Sequence, residues 1–475
     1  MEANLDEIYV EKEAEESYRD RISTVDEEGK RIWLYPKKPK GRLTNYRQIV
    51  SLVLLAVLFG SPFIKVDGEP FLLFNIIERK FIIFGQVFWP QDFFLAVIGT
   101  ITAVVFIILF TVVFGRIFCG WICPQTIFME WVFRRIEFWI EGDYMAQKKL
   151  DKTPWDFDKV FKKTLKHTIF IMISLLIMHT FVAYLVGVEE TWSTIKEGPS
   201  EAPAKFIAMV VLAGLFYGVF GKLREQVCTT ICPYGRLQGV LLDRESIVVA
   251  YDHERGEKRS KFRKGEDRDA AGFGDCIDCK QCVYVCPTGI DIRNGTQLEC
   301  VNCTACIDAC DSIMDRIHRP RGLVRYASEQ NISEGKPFVF TGRMKAYTAV
   351  LLILIGVMIS LLIIRSDFET TILRTPGMMY QEREDGSISN LYQVKMVNKT
   401  NHKIPVRFEL LDPKGQLQMV GEDIKLDEQG IGEGAFFVII DPADLSKMSS
   451  EITVGVYSEG ELIEEVETKF LGPAL

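Results

Sequence analysis

Twelve cysteines, all between residues 119 and 310 of a 475-residue chain, have types and spacings that could do chemistry. Eight fall in two runs. Cys276, Cys279, Cys282 and Cys286 follow the pattern C-x2-C-x2-C-x3-C-P, and Cys300, Cys303, Cys306 and Cys310 repeat it with Asp311 in place of proline. Three thiolates this close in sequence can wrap three irons of a cubane, while the fourth must arrive from elsewhere in the fold. In bacterial proteins with two [4Fe–4S] clusters and this spacing, the fourth cysteine of each run ligates the other cluster. One cluster is therefore expected on Cys276, Cys279, Cys282 and Cys310, and the second on Cys300, Cys303, Cys306 and Cys286. A zinc ribbon would use four ligands in two C-x2-C knuckles, which this pattern does not match.

The other four cysteines form two pairs, each behind an apolar run: Cys119 and Cys123 in "CGWICP", Cys228 and Cys232 in "CTTICP". Proline suits the first position of a helix, so Cys123 and Cys232 are expected at helix N-termini, where the dipole favours a thiolate. The segment 124–142 behind Cys123 mixes apolar, aromatic and basic residues as an interfacial helix would. "FGR" at 114–116 and "FGK" at 220–222 suggest a loose duplication. Side by side, the two units would gather four soft thiols, suited to copper(I), a further iron–sulfur centre or a dithiol redox pair.

These motifs need elements to hold them. Five apolar stretches, 46–64, 93–114, 168–188, 205–220 and 346–364, read as membrane spans, which need about 20 residues each. Lys and Arg concentrate before the first span (Arg31, Lys37, Lys38, Lys40, Arg42, Arg47) and between the second and third, and are sparse in the intervening loops. By the positive-inside rule the N-terminus and the whole of 222–345 are expected in the cytoplasm, and the C-terminus outside. All twelve cysteines then lie on the reducing side, which argues against a disulfide framework. The net charge of −8 comes from the tail: residues 366–475 hold ten Lys/Arg against twenty Asp/Glu. An acidic exported surface argues against nucleic acid.

The expected domains are a cytoplasmic segment 1–45, a membrane domain 46–250, a charged linker 251–275 able to tether a mobile module, a ferredoxin domain 276–325, a fifth span 346–364 and an exported domain 366–475. In that last part, stretches such as "LYQVKMVNKT", "GAFFVII" and "EITVGVYS" alternate apolar and polar residues between turn signals. Six or seven such strands suggest an immunoglobulin-like sandwich, without a cysteine pair. Met378 and Met379 just outside the membrane could receive a soft metal, though packing is their commoner use. His167 and His179 are about 18 Å apart along one helix, too far to clamp a haem together. An intramembrane His179 is a functional candidate by default, or else it bonds a neighbouring helix.

The membrane-edge "CGWICP" and "CTTICP", the double ferredoxin run, a final span and an exported sandwich together resemble the cytochrome c oxidase accessory protein family (CcoG, FixG or RdxA), from about Trp33 onward. The resemblance implies a bacterial inner-membrane protein that helps assemble cbb3-type oxidase by reducing copper(II) to copper(I). It implies two [4Fe–4S] clusters on the eight cysteines Cys276 to Cys310, with Cys119, Cys123, Cys228 and Cys232 as copper-handling or electron-accepting thiols. Expected partners are membrane lipid, oxidase subunits or copper-delivery proteins and an unidentified electron donor, with a homodimer left open. Two other readings stand beside it. One is a quinol-linked membrane subunit feeding an exported reductase, and the other is a non-catalytic assembly scaffold.

Overall fold

The computed structural model describes residues 24–473 except 26, 27, 29, 67, 78, 264–266, 367, 378, 401, 422, 423, 429, 446 and 459. The expected segment 1–45 is therefore described only in part, and Met378 lies outside the described residues. Two compact units emerge, one from 1–64 with 98–356 and one from 65–97 with 357–475.

Among the described residues, five helices are long and apolar enough to cross a membrane, as the sequence implies. They are α1 (Arg42–Gly60), α2 (Phe93–Phe114), α3 (Phe157–Val186), α4 (Pro203–Tyr217, continued by a π-helical turn Gly218–Leu223) and α5 (Gly342–Ile364). Val210, Val211, Leu352 and Ile353 stay exposed on them, as suits side chains facing lipid rather than a protein core. Helix α3 starts about three turns earlier than its apolar run. Asp156 caps it by accepting from Lys159 N at 2.9 Å. The charged first turns are then absorbed by ion pairs: Lys163 and Lys166 reach Glu141 at 3.0 and 2.8 Å. His179 Nδ1 bonds Leu175 O of its own helix at 2.7 Å, not a neighbouring helix. It is His167 that reaches across, to Tyr217 OH at 2.8 Å.

In the same unit, the stretch expected to be a tether is folded. Val248–Tyr251 pairs antiparallel with Val324–Ala327, so a short sheet brackets the ferredoxin runs. Arg268 is buried and donates to Gly274 O at 2.6 Å and Cys276 O at 3.1 Å. The bond to Cys276 O ties the described part of 251–275 to the first cysteine run, where a mobile linker was expected. The segment behind Cys123 is helical, with Phe128, Met129, Phe133, Arg134 and Glu137 buried within the unit and Trp139 exposed.

The other unit is mainly β. Strands β1 (Phe368–Arg374), β2 (Ile388–Asn398), β3 (Arg407–Asp412), β4 (Gln416–Val420), β5 (Ile431–Ile440), β6 (Ser449–Ser458) and β7 (Glu461–Leu471) form two antiparallel sheets, ordered β4-β5-β2-β1 and β3-β6-β7. Alternation puts Tyr392, Val394 and Met396 of β2 into the core with Phe436, Val438, Val454, Val456 and Phe470. This is the expected sandwich, with β1 in addition. Tyr392 OH donates to Lys469 O at 2.9 Å, tying one sheet to the other. Residues 65–97, which carried no strand signal, add a meander of Leu72–Asn75, Lys80–Ile83 and Gln86–Phe88 around buried Leu73, Ile82 and Val87. Asp92 joins the parts of this unit through Arg365 at 2.8 Å and Lys399 at 2.9 Å.

Candidate iron–sulfur and thiol centre

The two ferredoxin runs share one backbone course. Asp278 and Lys280 in the first, and Asn302 and Thr304 in the second, take positive φ of 50° to 64° at matched positions. Such conformations cost non-glycine residues about 1–3 kcal/mol each and persist where the surroundings dictate them. Lys280 and Thr304 then become the N-caps of helices Gln281–Tyr284 and Ala305–Arg316. The departure of the second run from C-P has a local cause. Cys310 sits inside Ala305–Arg316, where proline would remove a helical hydrogen bond and clash with the preceding turn. Asp311 instead accepts from Gly322 N at 3.0 Å.

Each run contributes to two cavities. The first is bordered by Cys276, Cys279, Cys282 and Cys310. The second is bordered by Cys286, Cys300, Cys303 and Cys306, with Cys282 on its edge. The crossed partition expected from spacing is the one in which the thiols are grouped. The remaining lining is mostly apolar, including Ile313, Met314 and Leu323 in the first and Ile290 and Ile292 in the second. Burial pushes the Cys282 and Cys300 thiols up to about 12 and Cys303 up to about 11. Thiols so placed ionise together only when a strong positive charge joins them. Four soft donors around an apolar hollow therefore fit a [4Fe–4S] cluster in each cavity.

The two membrane-edge motifs also share geometry. Cys123 N donates to Phe118 O at 3.0 Å, and Cys232 N donates to Val227 O at 2.7 Å, the same offset in both. Each second cysteine is the N-cap of the helix beginning at the following proline, as expected. The four thiols are neighbours: Cys119 feels the charges of Cys123 and Cys232, and Cys228 those of all three. Burial pushes Cys228 up to about 12 and also raises Cys119, against the opposing charge of Arg116. Cys119 Sγ donates to Gln238 Oε1 at 2.9 Å, and Gln238 Nε2 to Thr111 Oγ1 at 3.1 Å. Among the described residues, no three Cys, His, Asp or Glu side chains close tightly enough to clasp a single ion. A copper ion would have to draw these thiols together.

The thiol pairs meet the second cysteine cavity, not the first. Cys119 and Cys228 share a packed cluster with Cys303 and Cys306. At Gly120 a side chain would strike the backbone of Val301 and Cys303, so this glycine permits the close approach. Gly115 of "FGR" adopts φ 57°, which favours glycine; Gly221 of "FGK" does not, so the duplication is loose in backbone as well as in spacing. Trp121 Nε1 donates to Tyr326 OH at 3.2 Å, a further link to the ferredoxin side.

Spacing did not reveal the buried ionic scaffold beneath. Arg134 pairs with Glu130 and with Glu225 at 3.2 Å, Arg31 with Glu225 at 2.9 Å, and Arg224 with Glu137. Arg134 also donates to Pro287 O, directly behind Cys286, at 3.2 Å. Glu130, Arg134, Glu137 and Glu141 recur at three- and four-residue steps, which was the available signal.

Three family models match: a 4Fe-4S binding domain at 96–144, a 4Fe-4S dicluster domain at 223–329, and the IG-like fold at the C-terminus of FixG at 358–473. The nitrogen fixation protein FixG of Rhizobium meliloti is 30% identical over 473 residues, covering 91% of this chain and 88% of its own. The chain belongs to the FixG/RdxA/RdxB family. Proteins RdxB and RdxA of Cereibacter sphaeroides are each 36% identical, over 78% and 77% of this chain and 80% and 79% of theirs. As a member of the FixG family, it is a membrane iron–sulfur electron-transfer protein. The two ferredoxin cavities lie within the dicluster match, and Cys119 and Cys123 lie within the 96–144 match.

Proposed function

We propose that this family member reduces copper(II) to copper(I) at its membrane-edge thiols, for assembly of a cbb3-type cytochrome c oxidase. The observation that carries the reading is the packing of Cys119 and Cys228 against Cys303 and Cys306. Copper(I) prefers soft thiolate, whereas copper(II) prefers nitrogen and oxygen donors. Thiols from two motifs would therefore favour the reduced ion over the oxidised one. In balance, each copper(II) gains one electron and an external low-potential donor loses one.

When bound, [4Fe–4S] clusters supply one-electron redox chemistry over a wide range of potentials. The chain's own residues do the rest. Cys276, Cys279, Cys282 and Cys310 would hold one cluster and Cys286, Cys300, Cys303 and Cys306 the other. Gln238 orients the Cys119 thiol, Arg116 lends it positive charge, and the apolar lining restricts water. The Lys and Arg distribution supports an inner-membrane location with these centres in the cytoplasm and the sandwich in the periplasm. Oxidase subunits or copper-delivery proteins are the proposed recipients.

The test uses full-length protein, purified anaerobically and reduced. Adding copper(II) should yield copper(I), read with a copper(I)-selective chelator, with reoxidation of the iron–sulfur absorbance in step. Clusters that stay reduced with no copper(I) formed would reject the reading and leave an assembly scaffold ahead.

A further inference from the structure

Arg47, in the second turn of α1, is 2% exposed. Its Nε donates to Gly120 O at 3.0 Å and its Nη1 to Cys303 O at 2.9 Å. One carbonyl belongs to the first membrane-edge motif and the other to the loop lining the second cysteine cavity. Nη2 has no protein partner. The guanidinium lies 5.4 Å from the ring centre of Trp131. Among the described residues no carboxylate pairs with Arg47, although Arg31, Arg134 and Arg224 each have one.

A buried cation left without a counter-charge is strongly destabilising, so something anionic is required beside Arg47. Glu130 lies nearby but is paired with Arg134, and the sulfurs of the second cavity are the other anionic groups in reach. Cys303 is bonded through its carbonyl, and its thiol feels the guanidinium charge as well. Four thiolates outweigh the net positive charge of an iron–sulfur core, and reduction adds one more negative charge. A fixed cation at this point favours the reduced form.

We propose that Arg47 is a positioning residue of the second ferredoxin centre. It supplies the counter-charge that holds that centre's potential up, and it clamps the first membrane-edge motif to it through the carbonyls of Gly120 and Cys303. The proposal rests on Cys286, Cys300, Cys303 and Cys306 holding a cluster, and is independent of copper as the acceptor. Arg116, near Cys300, and Arg134, bonded to Pro287 O behind Cys286, are further cations close to this centre, and both remain when Arg47 is changed.

The experiment compares R47Q and R47K with the wild type, full-length and anaerobic. It reads cluster potentials by EPR redox titration and alkylation of Cys119 by mass spectrometry. In R47Q one signal should move to lower potential while the other stays. Its reduced-to-oxidised ratio at fixed poise should fall about tenfold, equivalent to about 59 mV for a one-electron couple. Cys119 should also alkylate faster. R47K keeps the charge but, as a point donor, does not bridge both carbonyls. It should hold the wild-type potential and still alkylate faster. Unmoved potentials in R47Q, or both signals moving together, would overturn the counter-charge. Wild-type alkylation of R47K would overturn the clamp, and that arm decides if R47Q fails to retain iron. Wild-type protein that forms no copper(I) while the variants shift as expected would count against the copper reading alone.

Discussion

Arg224 and Glu137 form an ion pair with both side chains buried, joining the segment ahead of the second thiol motif to the helix behind the first. Burial alone would raise the Glu137 carboxyl, but the Arg224, Lys166 and Arg134 charges outweigh it and hold it low. E137Q leaves Arg224 buried without its partner, a change that costs about 3–5 kcal/mol in comparable sites. Thermal unfolding in detergent should show a clearly lowered midpoint. A midpoint equal to the wild type would mean that the pair contributes little.

Crossed ligation has a sharp signature. Anaerobic protein should carry about eight irons and eight sulfides. C286S should remove the centre that also uses Cys300, Cys303 and Cys306, and C310S the one that also uses Cys276, Cys279 and Cys282. EPR of the two variants should be complementary. If C286S spares the former centre and removes the latter, the assignment is reversed.

Replacing Cys119 and Cys123 with serine should leave iron content and both cluster signals intact, because all eight ligands lie elsewhere. Serine at 123 can still cap the following helix. Copper(I) binding should fall steeply, since a hard hydroxyl replaces a soft thiolate. Copper(II) reduction should fall with it. A variant that binds and reduces copper at the normal rate would exclude these thiols.

Orientation is open to a reporter test. An enzyme active only in the periplasm, fused after residue 475, should be active, and a truncated fusion after Phe340 should be silent. Activity at Phe340 would overturn both the topology and the reduced-compartment argument.

Asp92 gives a pH dependence. Burial tends to raise its carboxyl, yet the Arg365 and Lys399 partners outweigh this and hold it below the usual carboxylate range. Its stabilisation is therefore present above the unfolded value of about 3.9 and is lost as pH falls through the lower folded value. D92N should be less stable than the wild type at pH 7, and the gap should close in acid. A gap that is constant with pH would rule out the charge as its cause.

The grouping of the cysteines around two cavities was legible from their spacing, and the spans were legible because lipid demands long apolar runs. The sandwich followed from strands long enough for alternation to show, as in Ile388–Asn398. The meander at 72–88 was not legible: its strands are three or four residues long, too short for a period of two to stand out. Arg47, Arg134 and Lys166 read in sequence as membrane-flanking charge. That they are buried depends on distant partners such as Cys303 O, Glu225 and Glu141. Charged residues at 251–275 suggested a solvated tether for the same reason. Arg255 and Arg268 instead find acceptors such as Pro320 O, Arg321 O and Cys276 O, which no composition reveals.

Cys306 and Cys310 stand on one helix, Ala305–Arg316, and border different cavities. Four residues of α-helix advance about 6 Å, and residues four apart share a face. This single turn works as a ruler. The spacing of these two thiols is set by backbone hydrogen bonds, and it would fix the gap between clusters held on either side. Tunnelling falls steeply with distance, so a fixed gap should keep exchange between the centres insensitive to lipid composition. Regulation of the protein would then act at its entrance or exit, and not between the two cubes.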